Sequence, residues 1–258
     1  MKLLFAFLLS CTVYLQAAVT PVPPSRFREL PELSAIPFER LLTIDNYVGV
    51  SLGDLKALSI LIQDSKAKNC LELGTFLGTG TTALFYGAGV NLTCVDHWKG
   101  NQNDPFMQST TRQYDFFEIC SANINQYNHD NRIALVESDT VQASHLFPDH
   151  SFDLIFIDAD HTYEGVLADL KAWYSKVRPG GIICGHDCEA RPKNFPKYNF
   201  SPEALKNVDC DFALGIHVGV IKAVDEFFNG AAQLFAERAL FVNGTREHSS
   251  IWYYRIPE

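Results

Sequence analysis

Residues 71–84, Leu-Glu-Leu-Gly-Thr-Phe-Leu-Gly-Thr-Gly-Thr-Thr-Ala-Leu, constrain the fold of this 258-residue chain more than any other stretch. An apolar run ends in a turn of small residues and a helix-compatible segment follows, the pattern of a strand, a glycine loop and a helix. Glycines let backbone approach a ligand where a Cβ would clash, and a helix start offers unpaired N–H groups to an anionic group. A second strand ends at Asp96, 24 positions after Glu72. A carboxylate at that tip can accept hydrogen bonds from both hydroxyls of a ribose. These residues predict a site for a nucleoside-containing cofactor.

The spacing narrows the cofactor. Gly74, Gly78 and Gly80 give Gly-x-x-x-Gly-x-Gly, a longer loop than the Gly-x-Gly-x-x-Gly turn that seats a dinucleotide pyrophosphate. The stretch resembles the first motif of class I S-adenosylmethionine-dependent methyltransferases, Glu-x-Gly-x-x-x-Gly. The resemblance implies that Glu72, Gly74, Thr75 and Gly78 line the methionine half of S-adenosyl-L-methionine and that Asp96 holds its ribose. It also implies an α/β fold: a Rossmann-like, doubly wound, mostly parallel seven-stranded sheet with an antiparallel C-terminal hairpin.

A second stretch carries the chemistry. Ser151-Phe-Asp-Leu-Ile-Phe-Ile-Asp158 is an apolar run of the kind that forms a central parallel strand buried on both faces. Ligands in open α/β sheets bind outside the carboxyl ends of such strands, where Asp158, Asp160 and His161 fall. A helix pattern follows, with Val166, Leu167, Leu170, Trp173 and Tyr174 on one side. A Pro179-Gly180-Gly181 turn then leads into a short strand, Ile182-Ile183-Cys184, ending at Gly185-His186-Asp187. Two adjacent strand ends would point Asp158, His161, His186 and Asp187 into one crevice. Clustered carboxylates raise one another's pKa values, and a divalent cation relieves the repulsion. Oxygen ligands favour magnesium, calcium or manganese, and added imidazole admits manganese, iron or zinc. The alternative is that His186 and Asp187 cap the strand and hydrogen-bond to the loop.

Asp-Ala-Asp-His161, the Pro-Gly-Gly turn and Gly-His-Asp187 resemble the metal-dependent small-molecule O-methyltransferases of the catechol and caffeoyl-coenzyme A type. They resemble more closely the related bacterial group with an Asp-x-Asp-His strand end. The resemblance spans residues 45–258. It implies a divalent metal, magnesium first, held by Asp158, His186 and Asp187. It departs from the family at His186, which replaces an oxygen ligand, and at His161, which stands where classical members carry a lysine base. With an ordinary pKa of about 6.5, His161 could take the acceptor's proton near neutral pH. Asp139, after the third strand candidate Arg132 to Val136, falls where the family holds the adenine amino group. It equally suits a helix N-cap before Val141, Ala143, Leu146 and Phe147. Trp98 could stack on the adenine or cover core.

Composition fits one enzyme domain: 47% hydrophobic and 20% charged residues suffice for a full α/β core. The net charge of -9 and the absence of a Lys/Arg-rich run disfavour a nucleic-acid substrate and leave a small-molecule acceptor. A homodimer is compatible with all of this. Residues 1–18 look like a signal peptide, cleaved or retained as a membrane anchor, with Lys2, an apolar stretch and small residues at Ala17 and Ala18. The Pro-rich 19–44 stretch would be a linker to the methyltransferase domain at 45–258. A secreted, periplasmic or membrane-anchored protein is therefore expected, although S-adenosylmethionine is made and mostly kept in the cytosol. Of seven cysteines, Cys188 and Cys210 suit a disulfide if the protein is exported, and Cys184, His186 and Cys188 form a weak zinc spacing. Two other functions fit the residues: a metal-dependent hydroxylase on the same scaffold, and a non-catalytic binding domain.

Overall fold

The structure, a computed structural model, describes residues 50–100, 115–200 and 215–258 apart from Asn243. The leader, the Pro-rich linker, Cys11 and Cys210 lie outside these residues. Among the described residues no helix is long and apolar enough to cross a membrane.

Nine strands and six α-helices organise the described chain. Helix α1 (Leu52–Ser65) precedes β1 (Asn69–Leu73), and α2 (Thr81–Gly87) leads to β2 (Asn91–Asp96). Helix α3 (Phe116–Asn125), β3 (Ile133–Glu137), the single turn α4 (Thr140–Ala143), β4 (Phe152–Ile157), α5 (Tyr163–Trp173) and β5 (Val177–Gly185) follow. The remainder comprises α6 (Val218–Phe227), β6 (Gln233–Leu234), β7 (Leu240–Val242), β8 (Thr245–Glu247) and β9 (Trp252–Arg255).

Seven strands form one sheet in the order β3-β2-β1-β4-β5-β9-β6. Strands β1 to β5 are parallel, and β9 runs antiparallel to both β5 and β6. The strand order reverses at β1/β4, which opens a crevice at the carboxyl ends of those two strands. Both faces are covered, as the apolar runs predict. Leu154 and Phe156 of β4 pack on the α1–α3 side, while Ile155 and Ile157 pack on the α5–α6 side.

Strand β1 shows what alternation does to a charged residue. Leu71 and Leu73 face the α5–α6 side and Cys70 faces the other. Period-two alternation therefore sends Glu72 beneath α2, where it is fully buried.

Two expectations are corrected. Pro179-Gly180-Gly181 is not a turn before a short strand: β5 runs through it, and between the pairs Phe152–Val177 and Leu154–Ile182 one residue of β4 stands against four of β5. Proline, having no N–H to give the ladder, is accommodated in such a bulge. The strands β7 and β8 of the expected C-terminal hairpin do pair antiparallel, but they make a separate two-stranded sheet. The antiparallel edge of the main sheet is β9 with the two-residue β6, which is too short to show a period in sequence.

Candidate active site

The glycine loop is braced from several sides. Gly74 has φ +84°, and a Cβ there would lie 1.9 Å from the carbonyl oxygen of Asp158. The backbone of the loop thus rests directly on the end of β4, a contact only glycine permits. Asp96 ties the loop to β2: one carboxylate oxygen accepts from the Phe76 N–H (2.9 Å) and the other from the Trp98 N–H (2.7 Å). Asn123 and Tyr127 donate to the carbonyls of Leu77 (2.8 Å) and Gly78 (2.7 Å).

Glu72 lies under the loop rather than in it. Its carboxylate accepts from the hydroxyls of Thr81 and of Thr82 (2.6 Å) at the start of α2. Burial pushes its pKa up to about 7 against the opposing effect of these hydroxyls. The residue expected to line the methionine half instead anchors the helix that follows the loop. Trp98 is also buried: its indole N–H donates to Phe76 O (2.7 Å) and its ring packs edge-on against Phe117, so it clamps the loop. Asp139 is the N-cap of α4, accepting from the Gln142 N–H (3.0 Å), and stays exposed.

The loop's polar groups suit an S-adenosylmethionine head. Thr75 and Thr79 hold buried hydroxyls that lack a well-formed hydrogen bond among the described residues, and buried groups of that kind require a partner.

The second half of the crevice is the convergence predicted from sequence. His161 Nε2 lies 3.2 Å from Asp158 Oδ1 and 3.3 Å from Asp187 Oδ2. His186 Nδ1 lies 3.0 Å from Asp187 Oδ1 and 3.8 Å from Asp158 Oδ2. Ligand atoms of Asp158, His186 and Asp187 all fall within 4.8 Å of one another. Burial opposes a charge on His186, but the charges of Asp187 and Asp158 outweigh it and hold its pKa well above the ordinary histidine value. Asp187 is held low, also against burial, chiefly by His186. Protons on imidazole thus balance the carboxylates here, a task a divalent cation performs better, and one oxygen, one nitrogen and a second oxygen are a suitable donor set. The expected ligands fit a metal.

Three residues that sequence reading missed complete the cluster. Asp54 Oδ2 approaches His186 Nε2 at 3.2 Å, within ion-pair range though off the line of a good hydrogen bond. His217, the residue before α6, sits with its Nδ1 between Glu189 Oε1 (2.7 Å) and Asp187 Oδ1 (3.5 Å). Asp54 carried a signal for a helix cap but none for a site, and His217 and Glu189 carried no spacing signal. The cysteine-histidine zinc grouping does not form among the described residues: Cys184 Sγ donates to Ile155 O and Cys188 Sγ to Ala190 O, and neither joins a metal-capable cluster.

Residues 71–188 match the family described as a methyltransferase domain. Over those residues the chain is similar to methyltransferase domains, and its seven-stranded sheet has the Rossmann-like fold of solved O-methyltransferases. A candidate O-methyltransferase from Klebsiella pneumoniae is 19% identical with a TM-score of 0.56, covering 96% of this chain and 97% of that one. An O-methyltransferase from Bacillus cereus solved with S-adenosylhomocysteine is 21% identical, TM-score 0.53, over 85% and 92% of the two chains. Two curated relatives are uncharacterized proteins, from Sinorhizobium fredii (26% identity over 55% of this chain) and Acanthamoeba polyphaga mimivirus (24% over 63%). The aligned parts span only 16% and 57% of those relatives' lengths.

Proposed function

We propose that this protein transfers the methyl group of S-adenosylmethionine to a hydroxyl of a small molecule, with His161 as the base and a divalent metal beside it. One observation carries the reading: Gly74 of the cofactor loop rests on the carbonyl of Asp158, whose side chain belongs to the histidine and carboxylate cluster. Methyl donor and proton acceptor would therefore share one strand end.

Thr75, Gly78 and Asp96 would hold the donor, Asp96 through the ribose hydroxyls, with Asp139 near the adenine. Asp158, His186 and Asp187 would hold the metal, which when bound lowers the pKa of a coordinated hydroxyl. Asp54 supports His186 from behind. His161 Nε2, flanked by Asp158 and Asp187, takes the acceptor's proton, and the neighbouring carboxylates stabilise the imidazolium that results. Holding donor and acceptor in line supplies much of the acceleration. Phe195, Tyr198 and Phe200, which pack edge-on and tilted on one another, would form part of an acceptor wall suited to an aromatic ring.

The test is calorimetry with S-adenosylhomocysteine, followed by its release from S-adenosylmethionine in the presence of a panel of small phenols and alcohols, with and without a chelator. Binding, and turnover abolished by chelation and restored by magnesium or manganese, is expected. No affinity for S-adenosylhomocysteine would overturn the reading, and turnover only with iron and oxygen would favour the hydroxylase.

A further inference from the structure

The crevice contains a second metal-capable set, His161, Asp187 and His217, whose ligand atoms also lie within 4.8 Å of one another. We infer that this set is a second cation position adjoining the first, with Asp187 bridging the two, and that it takes a nitrogen-preferring transition metal such as zinc, cobalt or iron.

The arrangement depends on backbone contact. A Cβ on Gly219 would lie 2.4 Å from the carbonyl oxygen of His161, so only glycine lets the start of α6 close onto that loop. The close approach brings the His161 and His217 rings edge to face with centroids 5.1 Å apart. Asp187 offers its oxygens to different neighbours: Oδ1 faces His186 (3.0 Å) and His217 (3.5 Å), and Oδ2 faces His161 (3.3 Å). A carboxylate so placed can serve two ions. Glu189 holds His217 through both its backbone N–H (3.1 Å) and Nδ1 (2.7 Å), which fixes the ring beside Asp187.

Charge supports two ions over one. Asp54, Asp158, Asp187 and Glu189 bring four carboxylates to three imidazoles. One divalent cation leaves two of those four negative charges unbalanced, and a second balances them. Two imidazoles and one carboxylate form a softer donor set than Asp158, His186 and Asp187, which selects against magnesium. The inference goes beyond methyl transfer and stands independently of it. With the second position filled His161 is a ligand, so the proposed transfer runs with the first position filled and the second empty.

The experiment is titration of the metal-stripped full chain with cobalt(II), read by calorimetric stoichiometry and by the visible d–d bands that imidazole ligation produces. Two equivalents per chain are expected for the wild type. His217→Ala should retain one equivalent and weaken the other on the order of 100-fold or more, the upper range for lost metal-site partners. His217→Gln, which keeps a donor toward Glu189, should behave alike and guards against a folding defect, checked by circular dichroism. A single equivalent in the wild type, or two unchanged equivalents in both variants, overturns the inference. S-adenosylhomocysteine affinity, measured in the same samples, reports separately on the methyltransferase reading.

Discussion

His161 lies between two carboxylates that also belong to the candidate metal set, so its removal separates chemistry from cofactor binding. His161→Ala is expected to lower turnover on the order of 100-fold or more while leaving S-adenosylhomocysteine affinity within a few-fold, measured by steady-state kinetics and calorimetry. Asp169 provides a test of buried charge. One oxygen accepts from the Thr140 hydroxyl (2.5 Å), the other has no hydrogen-bond partner among the described residues, and burial pushes its pKa up to about 7. A carboxyl whose folded pKa exceeds its unfolded value of about 3.9 favours folding less as pH rises between those values. Asp169→Asn should therefore raise the melting temperature at pH 8 and change it little at pH 4, read by calorimetry. At this scale the sequence made Asp158, His161, His186 and Asp187 legible, because strand ends and their following residues stay close in number. Asp54 and His217 were not, since they reach the crevice from elements that are remote in the chain. The burial of Glu72 beneath the loop was not legible from the glycine motif, because the parity of β1 decides which face a side chain takes.

Helix α1 begins with a reciprocal cap: Ser51 Oγ accepts from the Asp54 N–H (3.1 Å) while Asp54 accepts from the Ser51 N–H (2.8 Å). The same Asp54 accepts from the Ser250 N–H (2.9 Å) just before β9 and faces His186. A cap that sequence alone announces therefore also fastens the C-terminal edge of the sheet and backs a candidate ligand. Asp54→Asn is expected to lower stability by about 2 kcal/mol through the cap and the lost charge partner. It should also weaken metal binding roughly 10- to 100-fold, as loss of an outer-shell partner does, with denaturant melts and metal titration as the two readouts. Elements with strong periodicity, such as β4 and α5, were predicted nearly to their ends. Strand β6 was invisible because two residues hold no period, and the length of β5 was hidden by a proline and two glycines that usually punctuate rather than continue a strand.

Across the whole molecule, the reversal of strand order at β1/β4 creates the crevice and the close contact of Gly74 with Asp158 joins its two halves. Ligands on either side act on the same peptide, so their binding should be linked. Magnesium or manganese is expected to tighten S-adenosylhomocysteine, and S-adenosylhomocysteine to tighten the metal by the same factor, as linkage requires. Calorimetric titrations in both orders measure this common factor, and a value of one would show the halves to be independent. S-adenosylhomocysteine at 100 times its dissociation constant should stabilise the fold by about 2.7 kcal/mol. A main-chain approach of Gly74 to Asp158, and not a side-chain rotamer, sets the glycine loop against the end of β4, so in the proposed reaction the seat of the donor would be indifferent to most side-chain changes around it. On the proposed reading, changes in the aromatic segment after residue 190 would retune the acceptor without resetting the stroke along which a methyl group would travel.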